Sequence, residues 1–245
     1  MVTLMFFILV LQGCGGGGNG GGDSNADPTG YYINTGDVQG GAMLVNDLQA
    51  MVADNRIIMM SAGNKLLYDG TIININGNDF TANFIIYTDG ENPVAATANG
   101  TITAGSSITG TLTGTGVGSG TFNLLYAATN DQAAVVVSAW RSVAEGGGGF
   151  DLFGFTIDGI GNLVHDRDAG FGQLFNSCKM NGGVTFLNGT RLYRVEVDLT
   201  DCNDLVVNGP YTGLTTTRDE SATNDRLIFS VSNGNYTLSG EFNID

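Results

Sequence analysis

Leu192-Tyr193-Arg194-Val195-Glu196-Val197-Asp198-Leu199 decides the fold class. Tyr193, Val195, Val197 and Leu199 alternate with Leu192, Arg194, Glu196 and Asp198. In an extended chain successive side chains point to opposite faces, so this period of two describes a strand with one face buried and one face wet.

The same period recurs on both sides of this stretch. Phe80, Ala82, Phe84 and Ile86 alternate with Thr81, Asn83, Ile85 and Tyr87, and Ile108, Gly110 and Leu112 alternate with Thr109, Thr111 and Thr113. Phe122, Leu124 and Tyr126 share a face, as do Leu227, Phe229 and Val231. Tyr236, Leu238, Phe242 and Ile244 close the chain, with Thr237, Ser239, Glu241 and Asn243 facing out. Tyr31-Tyr32-Ile33 opens the first strand, Ala134 to Val143 reads as a strand around Trp140, and Phe155-Thr156-Ile157 and Leu163-Val164 flank a turn region at Asp158-Gly159 and Gly161-Asn162. Asn76-Gly77, Asp89-Gly90, Asn99-Gly100, Asn188-Gly189 and Asn233-Gly234 separate the runs, and such pairs favour tight hairpin turns.

Gly40 to Asp54 carries two patterns. Leu44, Val45, Leu48, Met51 and Val52 have helical spacing, whereas Asp54-Asn55 followed by Arg56-Ile57-Ile58-Met59-Met60 makes a β-hairpin. The hairpin agrees with the rest of the chain and is adopted. Many short strands joined by such turns describe an antiparallel barrel or sandwich.

The two halves also align at an offset of 112: Gly70 with Gly182, Asn76-Gly77 with Asn188-Gly189, and Thr88-Asp89 with Thr200-Asp201. Ile72 meets Val184, Ile75 meets Leu187 and Phe80 meets Leu192. Chance matching of common turn residues would look similar. If the repeat is real, two units meet near residues 128–135, and about eight short strands each would close into a small barrel without exposed edges. The expected architecture is all-β: antiparallel meanders forming two small up-and-down barrels in tandem, over residues 29–130 and 131–245.

Glycine at 39 residues with only 3 prolines fits many tight turns. Acidic residues number 24 against 9 basic ones, a formal net charge of −15. A field of that sign repels nucleic acid and anionic lipid and favours cations or a basic partner. Of the 3 cysteines, Cys178 and Cys202 lie on either side of Asn188-Gly189, so a hairpin folded there brings them nearly opposite at its open end. A disulfide between them closes a loop of about 25 residues and contributes roughly 3–3.5 kcal/mol in the chain-entropy model. A metal pair or redox site lacks C-x-x-C spacing and supporting histidine.

Leu4-Met5-Phe6-Phe7-Ile8-Leu9-Val10-Leu11 is an unbroken apolar run. It is short of the ~20 residues a membrane helix needs, and fits the apolar region of a signal peptide, about 7–15 residues. Leu11-Gln12-Gly13-Cys14 follows: a Leu, a variable residue, a small residue and a Cys. Across residues 1–22 the chain resembles bacterial lipoprotein precursors, although Met1-Val2-Thr3 lacks the Lys or Arg with which such segments begin. The resemblance implies that residues 1–13 are a signal peptide and that Cys14 is diacylated and becomes the new N-terminus. A Gly after the Cys implies, by the same resemblance, outer-membrane sorting. Residues 14–28 then form a lipidated, Gly-rich tether, a coil whose span grows as about 5–6 Å × √n. Gly16, Gly18 and Gly21 match G-x-G-x-x-G, but neither a strand before nor a helix after supports a dinucleotide site. The succession of anchor, tether and tandem β units resembles, in layout only, two-barrel surface lipoproteins of the transferrin-binding-like and factor-H-binding-like kind, whose barrels are calycin-like. No motif carries functional residues across.

Chemistry-bearing groups are sparse. His165 is the only histidine, and His165-Asp166-Arg167-Asp168 is best read as a solvated turn. No G-x-S-x-G occurs. Asn74-Ile75-Asn76-Gly77-Asn78-Asp79 has calcium-loop residue types but a misplaced Gly and no distal Glu, so it reads as a hairpin. Asp151, Asp158, Asp166 and Asp168 would form an acidic cluster only if the intervening hairpin folded back. No catalytic residue, metal ligand or cofactor is expected, and no ligand-binding residue is identified. The expected function is a non-enzymatic, outer-membrane binding module for a protein partner or a small apolar ligand, held to the membrane through Cys14 and without nucleic-acid partners. The alternative is a structural or adhesive envelope protein without a ligand pocket. An apolar ligand requires an open barrel interior, a protein partner requires an exposed patch, and a structural role requires packed barrels.

Overall fold

The computed structural model describes residues 25–34, 38–40, 43–45, 47–61, 63, 65–88, 91–127, 136–142, 154–165, 178–219, 222 and 225–244. Cys14, the apolar run before it and most of the tether lie outside these residues. Asp151, Asp166, Asp168 and the Asp89-Gly90 pair lie outside them too.

The chain is all-β, as two closed antiparallel barrels of eight strands each. The first is built from β1 (Gly30–Asn34), β4 (Gln49–Ala53), β5 (Arg56–Ser61), β6 (Leu66–Asn76), β7 (Asp79–Thr88), β8 (Val94–Thr103), β9 (Ser107–Gly114) and β10 (Gly120–Tyr126). A small hairpin, β2 (Val38–Gly40) and β3 (Met43–Val45), is inserted after β1. Pairing of β1 with β10 closes the ring, with Tyr32 opposite Tyr126. The second barrel runs through β11 (Ser138–Ser142), β12 (Gly154–Ile157), β13 (Asn162–His165), β14 (Lys179–Phe186), β15 (Tyr193–Thr200), β16 (Gly209–Arg218), β17 (Arg226–Ser232) and β18 (Thr237–Ile244). Pairing of β11 with β18 closes it, with Trp140 opposite Ile244.

Among the described residues of 40–54 the strand reading holds, with β3 and β4 in place of a helix. Asp54 and Asn55 have φ of 52° and 61°, the left-handed pair that a two-residue hairpin turn requires, and Ala53 pairs with Arg56. The repeat at offset 112 falls on equivalent elements, since β6 and β7 hold the fourth and fifth places in the first barrel, as β14 and β15 do in the second. Two expectations about the strands need correction. The strand around Trp140 covers only Ser138–Ser142 of the described residues. Asn99-Gly100 is not a turn but lies within β8, whose turn follows at Ala104-Gly105-Ser106. Gly100 is required there by packing, because a Cβ would come within 2.0 Å of the Thr109 carbonyl oxygen and 2.7 Å of the Phe80 ring.

Both interiors are filled by side chains. Tyr32, Tyr68, Phe80, Phe84 and Phe122 are buried in the first barrel among Leu, Ile, Val and Ala side chains. In the second, the Phe155 ring lies 5.0 Å from those of Phe229 and Phe242, and Trp140 is fully buried. The opening strands are tied down in the same way. The Tyr32 hydroxyl donates to the Pro28 carbonyl at 2.7 Å, and the Trp140 indole N–H donates to the Val136 carbonyl at 2.8 Å. In each case the acceptor lies four residues upstream. Each bond gives a buried polar group its partner while a large ring plugs the barrel.

The barrels also meet. β7 and β8 alternate between buried and exposed residues, as a barrel wall in water must. β4, β5, β16 and β17 are instead buried on both faces along most of their length. Their outward residues join one apolar cluster: Tyr31, Met51, Ala53, Ile58, Met60, Leu67 and Tyr87 of the first barrel against Leu192, Leu214 and Ile228 of the second.

Among the described residues, polar groups cross this contact at Arg56, at Asp54 and at Gln49. Arg56 holds Asp69 with Nε at 2.8 Å and Nη2 at 2.6 Å, and donates at 3.0 Å to both Thr212 Oγ1 and Ser232 Oγ. The Ser232 hydroxyl donates in turn to Asp69. Arg194 pairs with Asp54 beyond one end of β4, and at the other end Gln49 donates to Glu241. Glu241 was expected to face solvent. It does point out of its barrel, but against Gln49 and Arg218, whose Nη2 lies 2.9 Å away.

Candidate functional site

One end of the second barrel, where Cys178 and Cys202 meet, is held by a disulfide and several loop hydrogen bonds. Cys178 precedes β14, Cys202 follows β15, and Lys179 pairs with Thr200. A disulfide joins the two cysteines, as the hairpin spacing required. Beyond it, residues 201–208 make one tight turn of 3-10 helix, Leu205–Val207. Asp204 caps it by accepting from the Val206 amide at 3.2 Å. The Cys202 amide donates to the Asn208 side chain at 3.1 Å, and the Tyr211 hydroxyl donates to the Val207 carbonyl at 2.9 Å. Burial pushes the Tyr211 phenol up to about 12. Val207 is rooted in the barrel core. Leu205 and Val206 point outward, 74% and 61% exposed. The loop is thus a rigid mount for two apolar side chains, with the exposed Asp201 and Asp204 beside them.

The first barrel offers a contrasting surface. Outward positions on β7 to β10 carry Thr81, Asn83, Thr97, Asn99, Thr109, Thr111, Thr121 and Asn123, all exposed. No Asp, Glu, Lys or Arg occurs between residues 92 and 130. This face is polar and uncharged and reads as a solvated wall, whereas the disulfide end exposes two adjacent apolar side chains, Leu205 and Val206.

The remaining candidate residues are not brought together. Asp158 is consumed by its own turn. Its Oδ1 accepts from the Ile160 and Asn162 amides at 2.9 Å, and its Oδ2 from the Asn162 side chain at 2.9 Å. These bonds, the Asn162 amide foremost, hold the carboxyl below its ordinary value of 3.8. A depressed folded-state value means that the turn's stabilisation is present above the ordinary value and lost as pH falls through the depressed one. An NMR titration should find the Asp158 midpoint below 3.8 in the native chain and shifted upward in Asn162→Ala. An unchanged midpoint in that variant would show that the Asn162 side chain adds nothing and that the backbone amides alone hold the carboxyl down.

His165 is not in a solvated turn. It occupies an inward position of β13, buried, with Nδ1 against the Gly154 carbonyl. Asn76-Gly77 is the β6–β7 hairpin, with Gly77 at φ 61° and its amide bound by the Asn25 side chain at 3.0 Å. Among the described residues, no three of His, Cys, Asp and Glu gather as a metal site would require, and no helix is long and apolar enough to cross a membrane.

Sequence reasoning passed over Leu205 and Val206, whose Asp204-Leu205-Val206 pattern carries no periodic signal, and the Arg56–Asp69–Ser232 group. Comparison of the chain with protein-family models, with curated proteins and with solved structures found no match.

Proposed function

We propose that the chain is a non-enzymatic display module, held to the outer membrane by acylated Cys14 and recognising a protein partner at the disulfide-held end of its second barrel. One observation carries the choice of a protein over a small apolar ligand. Both interiors are occupied by the protein's own rings, Tyr32, Phe84 and Phe122 in one and Trp140, Phe155, Phe229 and Phe242 in the other. A carrier of apolar molecules needs that volume for its ligand. The residues Leu11-Gln12-Gly13-Cys14 and the glycines after them support the anchor, and they resemble those of lipoproteins.

Native mass spectrometry of the protein released gently from its own membrane tests the reading. The acylated chain should appear without a second lipid-sized mass. A stoichiometric lipid-sized companion would overturn the packed-interior reading in favour of a carrier. Cys14→Ala should move the protein from the membrane fraction to the soluble one, and retention in the membrane would remove the anchor.

A further inference from the structure

We propose that the group centred on Arg56 is a register latch that fixes one orientation of the two barrels, so that the chain moves and melts as one body without a hinge. Two domains in one chain normally move relative to each other unless their contact is large and apolar. Here the apolar part, Met51, Ile58, Met60 and Leu67 against Leu214 and Ile228, supplies adhesion. Adhesion of that kind is non-directional, and without a directional bond it does not hold the two barrels in one fixed orientation.

Direction comes from the guanidinium. Two of its nitrogens are held by Asp69 of the same barrel, which aims the fork before the second barrel arrives. Its remaining donors reach Thr212 on β16 and Ser232 on β17, and Ser232 donates back to Asp69. Three bonds therefore cross between barrels at one point. The side chains of Arg56 and Asp69 are only 22% and 14% exposed, so water cannot fully replace a lost partner. A slip of one residue, about 3.3 Å along a strand, breaks all three bonds at once. Asp54–Arg194 and Gln49–Glu241 lie toward opposite ends of β4, so rotation about Arg56 is resisted as well. Buried polar groups used in this way select one arrangement rather than add stability.

The test uses the full chain in solution. Amide-nitrogen relaxation by NMR should give both barrels the same rotational correlation time, and calorimetry should show one transition with equal calorimetric and van't Hoff enthalpies. Arg56→Met should keep both barrels folded by circular dichroism while their correlation times separate and the transition splits. Two correlation times in the native chain would overturn the proposal. So would a single shared time and a single transition in Arg56→Met. Should that variant not fold, Ser232→Ala with Thr212→Val removes both acceptors of the second barrel and leaves the first untouched. Separated times there support the latch, and a shared time sinks it.

Discussion

Trp140→Ala should destabilise the second barrel by about 3–5 kcal/mol, the range for deleting a large buried ring. Trp140 is fully buried on β11, the strand that closes the ring by pairing with β18 on one side and β12 on the other. Truncation leaves a cavity near Phe155, its register partner, and orphans the Val136 carbonyl that accepts the indole N–H. Both losses fall on the same closing strand. For a cooperative unit of this size the expected fall in Tm is roughly 6–20 °C. Circular dichroism is the suitable probe, because the variant loses the chain's only tryptophan. Trp140→Phe separates the two terms. It keeps most of the ring and loses the donor, so it should cost about 1 kcal/mol. Equal effects of the two variants would mean that the hydrogen bond, not the packing, dominates.

Replacing Cys178 and Cys202 together by serine should cost about 3.5 kcal/mol, the chain-entropy value for a 25-residue loop. The corresponding fall in Tm is roughly 7–14 °C. The effect should be largest at residues 201–208. Cys202 anchors one side of that turn, and its amide holds the Asn208 side chain that braces the other. Hydrogen exchange should therefore accelerate at Val206, Val207 and Asn208 before it does so in β7 to β10. A melt that is insensitive to reductant, with unchanged exchange in this turn, would show that the core around Val207 and Tyr211 holds the loop unaided. Should Leu205 and Val206 be the docking anchor, this variant would also bind its partner more weakly, since a mobile mount must be ordered on binding.

The strand period made the barrels legible because most wall strands have water on one side. Tyr193 to Leu199 and Phe80 to Ile86 alternate in sequence and in burial alike. The offset of 112 was legible because the two hairpins keep one register, Ile75 opposite Phe80 in the first and Leu187 bonded to Leu192 in the second, although the turns differ in length. The contact between barrels was harder to read. Ile57-Ile58-Met59-Met60 and Leu227-Ile228-Phe229 are apolar without alternation, the mark of a strand covered on both faces. The polar half of that contact includes Thr212 and Ser232, residue types indistinguishable in sequence from those of a wet wall. They point out of their own barrel, and only the first barrel packed against them covers them. Leu205 and Val206 were missed for the opposite reason: exposure in a braced loop leaves no periodic trace.

Closure of each ring by its first and last strands sets an order of events for a chain delivered from its N-terminus. The first barrel is complete once Tyr126 can reach Tyr32. The second must wait until Ile244 can reach Trp140. The 118 residues between Tyr126 and Ile244 take roughly 6–24 s to synthesise at about 5–20 residues per second. Through that window a finished barrel stands with Met51, Ile58, Met60 and Leu67 bare. The surface that later unites the molecule is, for those seconds, the surface on which nascent copies would aggregate, and the pace of delivery rather than the final stability governs that exposure.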